Sequence, residues 1–144
     1  MLPEGVQLED LLPHRDGMLL VGEVIELHEK KTISKSVVAA HWPMTDTRGA
    51  QVLILVELAA QTAGINNSWQ NRLRHGPDAE TRGWIVGVKS ARFDVDVLPL
   101  GAEIRVTSEN SFEFEGFREI RSTAEVDGRP AAQIILQLMQ ADPE

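Results

Sequence analysis

The chain has 144 residues, of which 42% are hydrophobic and 25% are charged, a composition typical of a globular protein rather than a disordered or fibrous one. Its 22 acidic and 14 basic side chains give a formal net charge of -8, which disfavours nucleic acid and anionic membranes as partners. It contains no cysteine, so disulfides and thiolate chemistry are excluded. We expect a single domain over residues 1–144, cytoplasmic and without a transmembrane segment.

The first forty residues predict a short helical turn and then a β-hairpin. Residues 7–12 (QLEDLL) are expected to form a turn that stops at Pro13, because the residue before a proline is pushed out of the helical region. The runs 18–31 and 32–40 alternate roughly between apolar and polar side chains on either side of a charged turn at 29–31. This pattern is typical of two paired strands.

One long helix is predicted over residues 52 to about 74. Its first half is apolar nearly all round, whereas its second half carries mainly polar side chains, so we expect the helix to start in the core and to finish in water. Gly76 and Pro77 are expected to end it.

Four strands are predicted after the helix, and the whole pattern reads β-β-α-β-β-β-β. Asp127-Gly128 suits a tight hairpin turn that requires positive φ, so these strands are expected to form an antiparallel meander. Neither a repeat nor a linker occurs, so all strands must share one core with the helix. The predicted fold class is therefore α+β, with a curved antiparallel sheet wrapped around a long central helix; the four strands are 84–95, 102–114, 116–126 and 130–140.

Two residues could carry chemistry. Glu57 lies within the apolar half of the helix, where an ionised carboxylate loses hydration unless it is paired or protonated. Helical spacing places Gln61 and small side chains beside it, so Gln61 can donate a hydrogen bond to the carboxylate. Together with His41, at the end of a predicted strand, Glu57 forms a pair suited to proton transfer near neutral pH. The alternatives are a glutamate that reaches a surface or interface and a structural loop histidine.

The other histidines are assigned no role in catalysis. His14 is expected to hydrogen-bond backbone groups before the first strand, and His28 and His75 are expected at the surface. The chain contains no H-E-x-x-H motif, no clustered ligands and no glycine-rich phosphate loop, so neither a metal nor a cofactor is predicted.

Four segments occur in an order found in a known family: LLPHRDGMLLVGEVIEL at 11–27, AHWP at 40–43, VLILVELAAQTAG at 52–64 and VGVKSARFDVDVLPLGAEI at 86–104. In these segments the chain resembles the β-hydroxyacyl-acyl-carrier-protein dehydratases of type II fatty acid synthesis. The resemblance implies a hot-dog fold and an acyl tunnel along the central helix. It also implies homodimers, or higher homo-oligomers, in which each site combines groups from both subunits.

The resemblance also implies a reaction. His41 would remove the α-proton of a 3-hydroxyacyl thioester, and Glu57 would protonate the departing β-hydroxyl, giving a trans-2-enoyl thioester and water. The thioester would be carried by acyl carrier protein or by coenzyme A. Backbone N–H groups around Ala50 to Val52 are expected to polarise its carbonyl. The expected substrate-binding residues are Gly49, Ala50, Gln51, Val52 and Gln61.

The chain departs from the family pattern in two places. The family's loop has a glycine after its His-Phe-Pro and a Met-Pro-Gly before the helix, whereas this chain has Met44 and then RGAQ at 48–51, in a longer loop. The acidic side chains at 94–96 would weaken docking of an acidic carrier protein, with Lys89 and Arg92 remaining as contacts. These differences indicate a divergent branch, such as the dehydratases of aryl-polyene-type pigments or of other specialised acyl chains.

Three functions therefore compete. A hydro-lyase acting on 3-hydroxyacyl thioesters is the leading hypothesis, and His41 favours it. A hot-dog thioesterase would instead use Glu57 to activate water. A non-catalytic acyl-binding accessory subunit is favoured by the altered loop.

Overall fold

The computed structural model describes residues 1–80 and 82–141. One long helix, α2 (Ile54–His75), packs against a six-stranded antiparallel sheet, which is the predicted hot-dog arrangement. The sheet contains β1 (Glu23–Leu27), β2 (Lys31–Val37), β5 (Arg82–Phe93), β7 (Glu103–Phe114), β8 (Phe117–Val126) and β9 (Arg129–Ala141). The smaller elements are α1 (Leu8–Leu11), a 3-10 turn (Asp16–Met18), β3 (Thr45–Asp46), β4 (Gly49–Gln51) and β6 (Val97–Leu98).

The strand order in the large sheet is β1-β2-β7-β8-β9-β5. The meander is confirmed for β7, β8 and β9, and the turn at Asp127-Gly128 has the predicted positive φ values of 49° and 82°. The prediction was wrong for β5, which pairs with β9 at the edge of the sheet. The physical reason is that β2 and β8 occupy the two sides of β7, so β5 cannot pair with β7 and pairs instead with the outer side of β9.

The first half of α2 provides much of the core, as its apolar sequence predicts. Burying one Leu or Ile side chain stabilises a fold by about 1.5–3 kcal/mol, so several on one helix are decisive for its docking on the sheet. The helix ends where predicted, because Gly76 adopts a φ of +102° and its N–H donates to the carbonyl of Arg72 over 2.8 Å. The fully buried side chains that α2 and the sheet bring together include Ile54, Leu55, Leu58, Ile65, Ile104, Ile120 and Leu136.

The second half of α2 is buried further along than predicted, and the helix is exposed in its last turn, at 73–75. Asn66, Asn67 and Asn71 are buried. The sheet extends along this half of the helix, and buried amides are tolerated where they find hydrogen-bond partners. Asn66 donates to the carbonyl of His28 over 2.6 Å, and Asn67 accepts from the side chain of Asn110 over 3.1 Å.

The helix also begins later than predicted, at Ile54 rather than at residue 52. The loop before it folds into a small β-hairpin, β3 and β4, and β4 runs to Gln51. In the part of the chain that the structure describes, no helix has both the length and the hydropathy needed to cross a membrane.

Candidate active site

Glu57 lies in the first turn of α2. Its place in an apolar stretch of the helix predicts a largely buried side chain, yet the side chain is 32% exposed and so half-buried. The difference arises because one side of the carboxylate faces an open groove rather than packed core.

Two side chains approach the same oxygen of this carboxylate. Gln61 donates from Nε2 to Glu57 Oε1 over 3.0 Å, which confirms the predicted hydrogen bond one turn along the helix. His14 Nε2 lies 3.1 Å from the same Oε1 atom. Among the described residues, Oε2 has no hydrogen-bond or ion-pair partner. The carboxylate is therefore held by one oxygen and presents the other.

Gln61 is fully engaged within the chain. Its Nε2 also donates to the carbonyl of Met18 over 2.8 Å, and its Oε1 accepts from the N–H of Leu20 over 3.0 Å. A side-chain amide has two N–H donors, and both are used here. This amide joins α2 to the segment that precedes β1, and its role in substrate binding stays a prediction.

His14 is the residue whose place the sequence analysis missed. Within the described residues its side chain makes no hydrogen bond to a backbone group; instead its Nε2 lies next to Glu57. Arg15 secures the segment that carries it, donating to the carbonyls of Leu12 at 2.6 Å and Glu9 at 2.9 Å. The available signal was the LPHR sequence, which lies in the first of the four segments that resemble the family.

The groove beside Glu57 has a volume of about 260 Å³ and lies between α2, the N-terminal segment and the β5 edge. Two small residues of α2, Ala60 and Gly64, line it next to Glu57, as the sequence predicts. Most of the remaining wall is apolar, so the groove suits an aliphatic chain with a polar group near the carboxylate. Its apolar lining includes Leu11, Leu12, Trp84, Ile85, Leu138 and Met139.

His41 lies apart from this pair. It is exposed in the turn that follows β2, next to Gly17, while the neighbouring Trp42 is buried. Within residues 1–80 and 82–141, His41 forms no hydrogen bond or ion pair, with Glu57 or with any other side chain. One chain alone therefore does not assemble the predicted His41 and Glu57 pair.

The predicted carbonyl-binding segment is part of the β3–β4 hairpin. Gly49 and Ala50 are buried, and Ala50 pairs with β6 through Leu98. The N–H of Gln51 donates to the carbonyl of Met44 over 2.9 Å, so it is engaged within the hairpin, and binding of a substrate carbonyl around Ala50 to Val52 stays a prediction. Val52 lies in the turn between β4 and α2.

The tip of this hairpin is ordered by Asp46. Its carboxylate accepts from the backbone N–H of Arg48 at 2.8 Å and from the guanidinium of Arg48 at 3.2 Å. These two bonds lower the pKa of the Asp46 carboxyl below its ordinary value. A second open groove, of about 440 Å³, runs along the hairpin and β6. In the described part of the chain, no three His, Asp or Glu side chains are placed to hold a metal ion.

Known proteins place the chain in a family. The family model described as ApeP dehydratase, of the ApeP-like family, matches residues 6–144. The 3-hydroxyacyl-[acyl-carrier-protein] dehydratase FabZ of Thiobacillus denitrificans is 31% identical over 147 residues, covering 94% of this chain and 96% of that protein. FabZ of Dechloromonas aromatica is 27% identical, covering 95% and 97%.

Solved structures agree on the fold. The dehydratase heterocomplex ApeI:P from Xenorhabdus doucetiae superimposes with a TM-score of 0.83 at 18% identity, covering 94% of this chain and 91% of that one. A hypothetical thioesterase with coenzyme A from Streptococcus pneumoniae gives a TM-score of 0.63 at 10% identity, covering 85% and 87%. The chain belongs to the ApeP-like family of dehydratases, a divergent relative of the FabZ enzymes with a hot-dog fold.

Proposed function

We propose that this dehydratase acts on a 3-hydroxyacyl thioester and releases a trans-2-enoyl thioester and water, with Glu57 as the proton donor. The observation that carries the proposal is the position of the Glu57 carboxylate at the side of an apolar groove, with Oε1 held by two side chains. A general acid must be within hydrogen-bond reach of the leaving group and firmly oriented, and Oε2 of Glu57 meets both needs for a ligand in the groove.

The reaction removes a proton from the α-carbon and a hydroxyl group from the β-carbon. A histidine takes the α-proton, the electron pair of the broken C–H bond forms the Cα–Cβ double bond, and the β-carbon to oxygen bond breaks. Glu57 gives its proton to the departing hydroxyl, which leaves as water. The proton on the histidine then returns to Glu57 through solvent, so the site is restored without a cofactor.

The histidine of this scheme is His41, contributed by a second subunit. His41 is exposed and does not contact Glu57 in its own chain, so the pair needs another copy to complete it. The β5 edge is the surface that this copy would cover. An apolar edge strand with unpaired backbone groups is a template for pairing with another strand. Its exposed apolar side chains are Trp84, Ile85, Val86 and Val88, and the first two also line the groove.

A homodimer through β5 is the assembly that we favour, because the same edge on two copies is self-complementary. The related ApeI:P structure is a heterocomplex, which supports a second arrangement in which a different dehydratase chain supplies the histidine. For the substrate, the names of the FabZ relatives support acyl carrier protein as the carrier. Lys89 and Arg92 on β5 are each near an acidic side chain, Glu119 at 3.2 Å and Asp94 at 3.6 Å, which reduces their attraction for an acidic carrier.

The experiment that tests this function uses the reverse reaction. The protein is incubated with crotonyl thioesters of acyl carrier protein and of coenzyme A, while enoyl absorbance and free thiol are followed together. We expect hydration without thiol release, and faster hydration on the carrier protein. Rapid thiol release would instead identify a thioesterase, and tight binding with neither reaction would identify an accessory subunit. Addition of a second dehydratase chain that restores hydration would identify the heterocomplex.

A further inference from the structure

We propose that His14 is a positioning residue for Glu57, one that selects which carboxyl oxygen carries the transferred proton. The inference rests on the proposed function and adds a residue to it. The proposal is based on the observation that His14 Nε2 and Gln61 Nε2 both lie close to Oε1 of Glu57, at 3.1 Å and 3.0 Å.

The two contacts crowd one oxygen. Gln61 Nε2 donates to Oε1 and His14 Nε2 lies 3.1 Å from it, so the two nitrogen atoms leave no room on Oε1 for a proton that a ligand could accept. A protonated Glu57 must then carry its transferable hydrogen on Oε2, which has no partner within the described residues. The two contacts therefore hold the acid in one orientation and leave Oε2 as its reacting atom.

The surroundings of His14 match a donor better than a base. Among the described residues its buried Nδ1 has no hydrogen-bond partner, so a hydrogen on Nδ1 would lack an acceptor, and the tautomer with hydrogen on Nε2 avoids that cost. In that tautomer the nitrogen that carries the hydrogen is the one 3.1 Å from Oε1 of Glu57, and the lone pair of Nδ1 faces away from solvent. His14 therefore has no exposed lone pair with which to remove a substrate proton.

Gln61 alone does not fix the orientation of the Glu57 carboxyl group. Its amide is also bound to Met18 and Leu20, so it sets the distance between α2 and the N-terminal segment. His14 approaches the carboxylate from that segment, whereas Gln61 approaches it along the helix. Two contacts from different elements fix the plane of the carboxyl group, because a single one would leave it free to rotate about its bond to the side chain.

The test compares His14→Leu, which removes the donor, with His14→Gln, which places an amide N–H near the position of Nε2. His28→Leu is the matched control, since His28 Nε2 also lies next to a glutamate oxygen, Oε1 of Glu26 at 2.8 Å, but on the exposed surface. We expect His14→Leu to lower kcat for enoyl hydration by about 10- to 100-fold with little change in KM. His14→Gln should recover most of that loss, and His28→Leu should behave as wild type. Circular dichroism and thermal unfolding check that each variant is folded.

A double mutant separates positioning from an independent role. In a Glu57→Gln background, His14→Leu should add almost no further loss, because a residue that acts through Glu57 has nothing left to position. The positioning role is overturned if His14→Leu keeps the wild-type kcat, if His14→Gln is as slow as His14→Leu, or if the two losses multiply. If the wild type does not hydrate enoyl thioesters, or Glu57→Gln is fully active, the proposed function fails instead, so the two failures are distinguishable.

Discussion

Gly49 packs so closely against Leu98 that a β-carbon on residue 49 would overlap the carbonyl oxygen of Leu98. The φ of Gly49 is +141°, a conformation that residues with side chains rarely adopt. This approach joins β4 to β6 just before α2 begins, so it anchors the start of the helix that carries Glu57.

We therefore expect Gly49→Ala to lower the free energy of unfolding by at least about 2 kcal/mol, since backbone strain and overpacking each cost about 1–3 kcal/mol. Urea denaturation at a fixed protein concentration measures the change. Gly101→Ala is the matched control, because Gly101 also has a positive φ, of 83°, but nothing lies within 4 Å of its added β-carbon. Equal losses in the two variants would show that the contact with Leu98 is unimportant.

His41→Ala and Glu57→Gln should each lower the rate of dehydration by at least about 100-fold, the usual scale for losing a general acid or base. Steady-state rates on a 3-hydroxyacyl thioester measure the effect. Neither change should prevent folding, because His41 is exposed and Glu57→Gln keeps the shape of the side chain. Folded variants with rates near wild type would place the chemistry on other residues.

Mixed dimers test whether the site is shared. If His41 and Glu57 meet only across a two-fold interface, co-expressed His41→Ala and Glu57→Gln subunits should form heterodimers in which one site is intact and the other carries both changes. Tandem purification on two different tags isolates them, and their activity should be about half that of wild type. Isolated heterodimers without activity would contradict the shared site and would leave the fold assignment unchanged.

Gln61→Met should weaken both stability and activity. The change leaves the N–H of Leu20 and the carbonyl of Met18 without their side-chain partner, and an unpaired buried polar group costs about 1–3 kcal/mol. We expect at least about 2 kcal/mol less free energy of unfolding, measured by urea denaturation, together with a lower kcat. Gln70→Met is the control, since Gln70 makes only one long, exposed contact, of 3.5 Å, and should change stability by less than about 0.5 kcal/mol. A stable Gln61→Met protein would contradict this account.

Charge on the β5 edge should break the assembly. Val86→Lys combined with Val88→Lys places two ammonium groups on the apolar strand, as natural edge strands do to prevent pairing. Analytical ultracentrifugation should then show monomers, and hydration of enoyl thioesters should be lost with them. Val37→Lys, on an exposed position of β2, should leave the mass unchanged. A double variant that keeps the wild-type mass would move the interface away from β5.

The elements that could be predicted were those whose pattern is local. The helix, its end at Gly76 and the turn at Asp127-Gly128 follow from neighbouring residues, and so did the hydrogen bond from Gln61 to Glu57, one turn apart. The position of β5 beside β9 depended on which strand edges were already occupied, and no local pattern contains that information. The burial of Asn66 likewise depended on the carbonyl of His28, distant in the sequence, which accepts a hydrogen bond from the Asn66 amide.

The site, like the fold, could be predicted only where the signal lies in neighbouring residues. Glu57 could be identified because a carboxylate in an apolar run is conspicuous, but His14 could not be paired with it because the two residues meet only through the folding of the N-terminal segment against α2. The loop at 44–51 was expected to offer free N–H groups, yet it forms a hairpin that uses the N–H of Gln51 internally.

The attachment of residues 14–20 to α2 has a consequence for the timing of the site. This segment is held to the helix by side-chain contacts at Glu57 and Gln61 rather than by a strand ladder, and such segments open locally more often than the sheet does. Each opening removes both the donor from His14 and the partners of Gln61 at once. The acid is therefore correctly oriented only while the segment is docked, and the fraction of time that it spends docked sets an upper limit on the fraction of enzyme molecules able to react.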